Sequence, residues 1–330
     1  MNLQIETLRG LACLLLVLYH VIGLDSSTGL RVEEGAVRWL NDGLAYLRMP
    51  LFTFLSGLVY GLRPFAGNSS AFLEGKVRRL LIPMLVVGTL FALLQAWTPG
   101  TNSAVGPWYL LHVQPVAHFW FVESLFWVFL LIWALERWNL IGEPKRYLVV
   151  WALACALYLT VNGWRWFSIA GAIYLLPYFL SGLAFSRFPL KASLASPWIR
   201  LSLLALATAA VVSMGMPVPN PDRRTVAMLL AGMSLCALSL SFGLVVPGLA
   251  GVGRHSYAIY LFHVFFTAAA RIGLDLVQVD FMPLDILLGL LLGVAGPIAL
   301  GRIASRSKWP ALLLLGKSVK GVQQSARQGA

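Results

Sequence analysis

Long apolar runs govern what this chain can fold into. The first extends from Leu8 to Leu24, and others recur at about 43–62, 79–98, 118–136, 147–162, 168–186, 200–216, 225–243, 256–272 and 284–301. Each is close to the roughly 17–25 residues a helix needs to cross a bilayer, the fifth and seventh being short. Lipid offers no hydrogen-bond partner to a peptide group, so such runs are stable only as helices or in a closed barrel. They are longer than the roughly ten-residue alternating strands of a barrel. An all-α, polytopic integral membrane bundle of about ten transmembrane helices is expected. Only 12% of the residues are charged, against about 25% in a soluble domain, which excludes an ordinary soluble enzyme.

Basic residues orient the bundle. Arg63, Lys76, Arg78, Arg79, Arg137, Lys145, Arg146, Arg187, Lys191, Arg200 and Arg254 fall in loops on one side, joined by six more from Arg302 to Arg327. The other side holds Arg31, Arg38, Arg165, Arg223, Arg224 and Arg271. The richer side is expected to be cytoplasmic, with both termini inside. The net charge of +12 then reflects topology and contact with anionic lipid, not nucleic acid. The first run has no basic stretch before it and no small-x-small cleavage site after it, so it reads as a retained helix.

Residues 1–316 form one transmembrane domain in this reading, and 317–330 a polar cytoplasmic tail. Cys13, Cys155 and Cys236 all lie inside apolar runs, without metal-ligand or disulfide spacing. The loops at 25–42 and 99–117 mix polar groups (Asp25, Arg38, Asp42, Asn102, His112, Gln114) with Trp108 and Tyr109. An interfacial aromatic belt is preferred there to a sugar-binding surface.

Four constellations bear on chemistry. Arg9 and His20 are 11 positions apart in the first run, three turns plus about 20°, hence on one stripe and about 16 Å apart along the axis. Cys13 and Glu6 fall near the same stripe. Ionisable groups at this depth cost roughly 2.5–3.5 kcal/mol on insertion scales and usually face a protein interior or a cavity. Arg48, just inside the second run in RMPLFTFLSGLVYGL, needs a partner or a cavity for the same reason. Ser56-Gly57 reads as a close-packing pair. Lys76, Arg78 and Arg79 in EGKVRRLLIP suit either ordinary topology charge or a phosphate site. In GRHSYAIYLFHVFF, Ser256 is placed as an N-cap and His263 two turns further on the same face. His118 and Glu123 in HFWFVESLF add a base and a carboxylate near the far face.

These pieces, in this order, resemble the acyltransferase family 3 of membrane acyltransferases. The resemblance covers most of the chain and rests on IETLRGLACLLLVLYH, PLFTFLSGLVYG, KVRRLLIP, HFWFVESLF and GRHSYAIYLFH. The Arg-x10-His pair is its most specific mark. It implies ten or so helices and transfer of an acyl group, often acetyl, from cytoplasmic acyl-coenzyme A to a hydroxyl of a glycan or small molecule. It implies His20 as catalytic base, with Arg9 in the same motif. Lys76 and Arg79 match the family's basic pair, and Ser256, Tyr257 and His263 its late motif. The acidic position before the family's Gly-Leu-Arg-Gly-like turn is taken here by Glu6-Thr7. No fused hydrolase-like domain is evident, so the product is expected to be released directly or through a separate partner.

The expected mechanism follows. Neutral His20 takes a proton from the acceptor hydroxyl. Glu123 orients or compensates it. Arg48 or His263 stabilises negative charge. Lys76, Arg78, Arg79 and Arg9 hold coenzyme A phosphates, with Ser256 and Tyr257 in the same donor site. Acetyl-coenzyme A is the expected donor, and no metal is expected. Partners are a glycan or lipid-linked sugar, membrane lipid and envelope polysaccharide-assembly proteins, in the bacterial inner membrane. The alternative class is a transporter or flippase of a glycan or lipid-linked precursor, because intramembrane Arg and His also mark transport paths.

Overall fold

The structure, a computed structural model, describes residues 2–99, 101, 105–161, 163, 164, 166–213, 224–278 and 280–318. Asn102, Arg165, Arg223, Lys320 and Arg327, and the tail beyond 318, lie outside the described residues. Among the described residues ten long helices carry the fold: α1 Leu3–Ile22, α2 Ala45–Leu62, α3 Ser69–Trp97, α4 Trp120–Arg137, α5 Pro144–Thr160, α6 Ile169–Arg187, α7 Pro197–Ser213, α8 Val226–Ser241, α9 Ser256–Leu276 and α10 Met282–Ala304. Each of the ten apolar runs falls on one of them. Six stretches are long and apolar enough to cross a membrane by length and composition: those of α1, α3, α9 and α10, α4 with the turn before it, and α6 with the turn before it. No strand occurs among the described residues.

The runs become helices because their peptide groups pair internally and their side chains pack against one another. Exposed leucines and valines on α5, α7 and α10 face outward, as a lipid-facing surface requires. The core lies where α2, α4, α6 and α9 meet, around buried Tyr60, Phe129, Tyr178, Phe179 and Leu261. Close approach is built in by glycine. A Cβ on Gly57 of α2 would collide with the Phe179 carbonyl of α6, and one on Gly182 of α6 with the Phe54 carbonyl of α2. The reciprocal pair brings the two backbones into contact, as small residues do at membrane interfaces.

Two local departures matter for function. In α3 the helix widens to π geometry over Val77–Leu81, the turn that carries Arg78 and Arg79; such bulges are frequent at functional sites. Beyond α10, a short helix Lys308–Leu315 follows and ends at Gly316 in the left-handed region, φ 60°. On the short helix Ala36–Gly43 before α2, buried Arg38 donates to the carbonyls of Gly23 and Val32, both at 3.0 Å, and pairs with Asp42 at 3.3 Å. Ser27 and Thr28 hydrogen-bond the Asp25 carboxylate and, with Arg38 nearby, hold its pKa below the usual carboxylate range. These polar residues tie the turn at 23–28 to the short helix.

Candidate active site: two cavities on one helix

Helix α9 borders two cavities. Near its N-terminus Tyr257 lines a basic cavity of about 720 Å³ together with Lys76, Arg78, Arg79, Ser305 and Lys317. The Lys76 ammonium lies over the Phe129 ring, 3.3 Å from its centroid, with Phe72 at 5.0 Å. Three residues along, Tyr260 lines a second cavity of about 930 Å³ with Tyr19, His20, Arg48 and His118. Three residues of helix rise about 4.5 Å, so the two tyrosines sit close along the axis of α9, each lining a different cavity. Tyr257 donates to the Arg79 carbonyl and Tyr260 to the His118 carbonyl. Each tyrosine thus holds backbone belonging to a charged or titratable lining residue. The second cavity follows α9 as far as Ile272, about 18 Å of helix. Its wall is largely apolar, with Gln95, Thr98, Thr101, Arg271 and Asp285 as further polar groups.

Two imidazoles, His20 and His118, line the second cavity, and a third, His263, packs against both. His20 and His263 have ring centroids 4.7 Å apart, His118 and His263 4.8 Å, and His20 and His118 5.8 Å. His263 is fully buried, and its Nδ1 lies 2.9 Å from the carbonyls of Ile259 and Tyr260. A carbonyl only accepts, so in neutral His263 the proton sits on Nδ1 and Nε2 keeps a lone pair. That Nε2 and both nitrogens of buried His118 have no partner at hydrogen-bonding geometry among the described residues. Leaving such groups unpaired costs about 1–3 kcal/mol each, a cost commonly tolerated where function requires it. Ala117, immediately before His118, has φ 50°. That backbone is strained for a residue with a Cβ, as occurs at functional sites. Among the described residues no group of three or more His, Cys, Asp or Glu is arranged to hold a metal ion. The Arg48 guanidinium is buried, lies 4.2 Å over the Tyr19 ring and donates to the Asn41 carbonyl.

The structure brings His20, His263 and Arg48 together, and it gathers Lys76, Arg78, Arg79 and Tyr257. Three expected placements differ. Glu123 accepts a 2.6 Å hydrogen bond from Ser168 and is not among the residues lining the His20 cavity. The side chain from HFWFVESLF that reaches His20 is His118 instead. Arg9 pairs with Glu6 at 3.1 Å and lines neither cavity, since the acid one turn back on its own helix is its nearest partner. Ser256 is the first residue of α9 and not its cap. His255 is the cap residue and makes no side-chain cap bond, and Ser256 does not line the basic cavity.

Sequence reasoning also missed Tyr260, Ser305 and Lys317. Tyr260 carried a signal, standing three positions after Tyr257 and three before His263. Nothing in the sequence pointed from Ser305 or Lys317 to residues 76–79. At the N-cap of α9, two residues before Tyr257, burial and then the cations of Arg302, Arg254 and Lys317 hold the His255 pKa below its ordinary 6.5.

Comparison with curated proteins and with solved structures returned no match. The family model for the acyltransferase domain matches residues 2–302, which include both tyrosines of α9, all three histidines and the basic triplet of α3. This chain belongs to the acyltransferase family 3.

Proposed function

We propose that this protein is an O-acyltransferase of the bacterial cytoplasmic membrane. It takes an acyl group, acetyl by default, from cytoplasmic acyl-coenzyme A and places it on a hydroxyl of an extracytoplasmic glycan or lipid-linked sugar. The observation that carries this reading is the pair of cavities bordered by one helix, at Tyr257 and Tyr260 of α9. One offers Lys76, Arg78 and Arg79, and guanidinium groups match phosphate oxygens in paired hydrogen bonds. The other offers imidazoles to a hydroxyl.

His20 is the one of the three imidazoles that is only partly buried, and it acts as general base. It takes the proton of the acceptor hydroxyl as that oxygen attacks the thioester carbon. The new C–O bond forms, the C–S bond breaks, and the leaving thiolate takes up the proton that His20 received. His118 and Arg48 line the same cavity and supply N–H donors to the oxyanion, where such donors contribute most. Direct transfer is preferred to an acyl-enzyme. Cys13 is fully buried and Ser56 donates to the Phe52 carbonyl at 2.8 Å.

The test is transfer from labelled acetyl-coenzyme A by purified protein to a mixed glycan extract, comparing wild type with His20→Ala. Label on glycan with wild type alone is the expected result. No transfer by either protein, with no thermal shift by coenzyme A, overturns the reading. Ligand binding to the folded state must raise thermal stability by mass action.

A further inference from the structure

The family domain ends at residue 302, yet the basic cavity does not. Ser305, Leu315, Gly316, Lys317 and Ser318 form one of its walls. This wall is built. The Arg78 guanidinium donates to the Gly316 carbonyl at 2.5 Å, and Lys317 Nζ donates to Ser305 Oγ at 2.7 Å. Gly316 also sits backbone to backbone on the π-turn of α3. A Cβ there would collide with the Arg78 carbonyl and lie 2.6 Å from the Arg79 Cα. Its φ of 60° is one that glycine adopts without strain. The chain therefore turns back after Leu315 by a step that suits glycine, and the step lands on the two arginines of the cavity.

We infer that the segment 305–318, outside the family domain, completes the acyl-donor site, with Lys317 as a fourth cation for the phosphates of coenzyme A. The inference rests on the donor reading above. Charge and placement carry it. Lys317 joins Lys76, Arg78 and Arg79 around one cavity, and its ammonium is held by a neutral hydroxyl that a phosphate oxygen can replace. Exchanging the hydroxyl for a phosphate oxygen joins two ionised groups and adds the attraction between opposite charges to the hydrogen bond. Gly316 is a positioning residue, since it seats the wall on the π-turn without contacting the ligand.

The test uses the full-length chain in detergent, with coenzyme A as the probe. Affinity is measured by thermal shift and by equilibrium binding for wild type, Lys317→Glu, Lys317→Arg and Gly316→Val. Lys317→Glu is expected to weaken coenzyme A binding by about tenfold or more, while Lys317→Arg stays within about threefold. Gly316→Val is expected to lose affinity comparably, while the activity lost by Lys317→Glu returns at saturating acyl-coenzyme A. Because Gly316→Val alone can fail to fold, the Lys317 pair decides the matter. Wild type and Lys317→Glu shifted equally by coenzyme A overturns the inference and leaves the donor reading standing. A wild type indifferent to coenzyme A overturns both.

Discussion

The His263 imidazole packs 4.7 Å, centroid to centroid, from that of His20, with its own Nδ1 committed to the α9 backbone. One imidazole is thereby fixed in tautomer and buried, and the other is left to the cavity. A buried neutral ring behind the base limits its rotation and excludes water from one side. Substituting His20 by Gln keeps the size and a hydrogen-bonding end but removes the titrating nitrogen. Acyl transfer should fall by about 10²–10⁴-fold, the usual worth of general base catalysis. Coenzyme A affinity should stay unchanged, because His20 does not line the basic cavity. Single-turnover transfer and equilibrium binding on the same preparation check both halves.

His118 should separate from His20 by the type of replacement that rescues it. As an N–H donor to the oxyanion, it should tolerate Asn or Gln in part. His118→Leu should lose about 10²–10³-fold in kcat, typical of a missing oxyanion donor. A titrating base would not be rescued by an amide. The ratio of the His118→Asn and His118→Leu rates is the measurement.

Gly57 predicts the stability of the scaffold. Gly57→Ala places a Cβ on the Phe179 carbonyl of α6, and neither backbone can yield without moving its helix. Overpacking of this kind costs about 1–3 kcal/mol. The thermal midpoint in detergent should drop. Gly75→Ala, where nothing lies within 4 Å of the added Cβ, should leave it within error or raise it.

His255 predicts a pH dependence. Burial and the cations of Arg302, Arg254 and Lys317 hold its pKa below 6.5 in the folded chain. The unfolded chain therefore binds the proton more readily. The neutral form's contribution to stability is present in full above about pH 6.5 and is lost as pH falls below that value. Thermal midpoints between pH 7.5 and 5 should decline less steeply in His255→Gln than in wild type. Coenzyme A phosphates in the basic cavity should offset the cations and raise the His255 pKa. Binding below pH 6.5 should then take up protons, detectable as a buffer-dependent heat by calorimetry.

Much of the fold was legible because lipid leaves a long apolar run little choice but helix. Hence all ten runs fall on helices, and Gly57 marks a close helix contact. The Arg9–His20 spacing correctly placed an imidazole in a protected interior, but it could not tell that Arg9 is taken by Glu6 one turn away. Within HFWFVESLF, periodicity offered His118 and Glu123 without ranking them. The choice was made by the irregular turn at Ala117 and by the Tyr260 bond to the His118 backbone, neither of which has a period.

The sequence by itself determined the solvent of this protein, its helical segments and the residue types available for acyl transfer, because these follow from local hydropathy and spacing. Only the tertiary structure decided which groups meet. His20, His118 and His263 come from three helix regions far apart in the chain, and Gly316, the neighbour of Lys317, returns to Arg78 across 238 positions. Such meetings depend on where whole helices cross and on how closely glycines let them approach. Those are properties of packing between elements, and no window of sequence contains them.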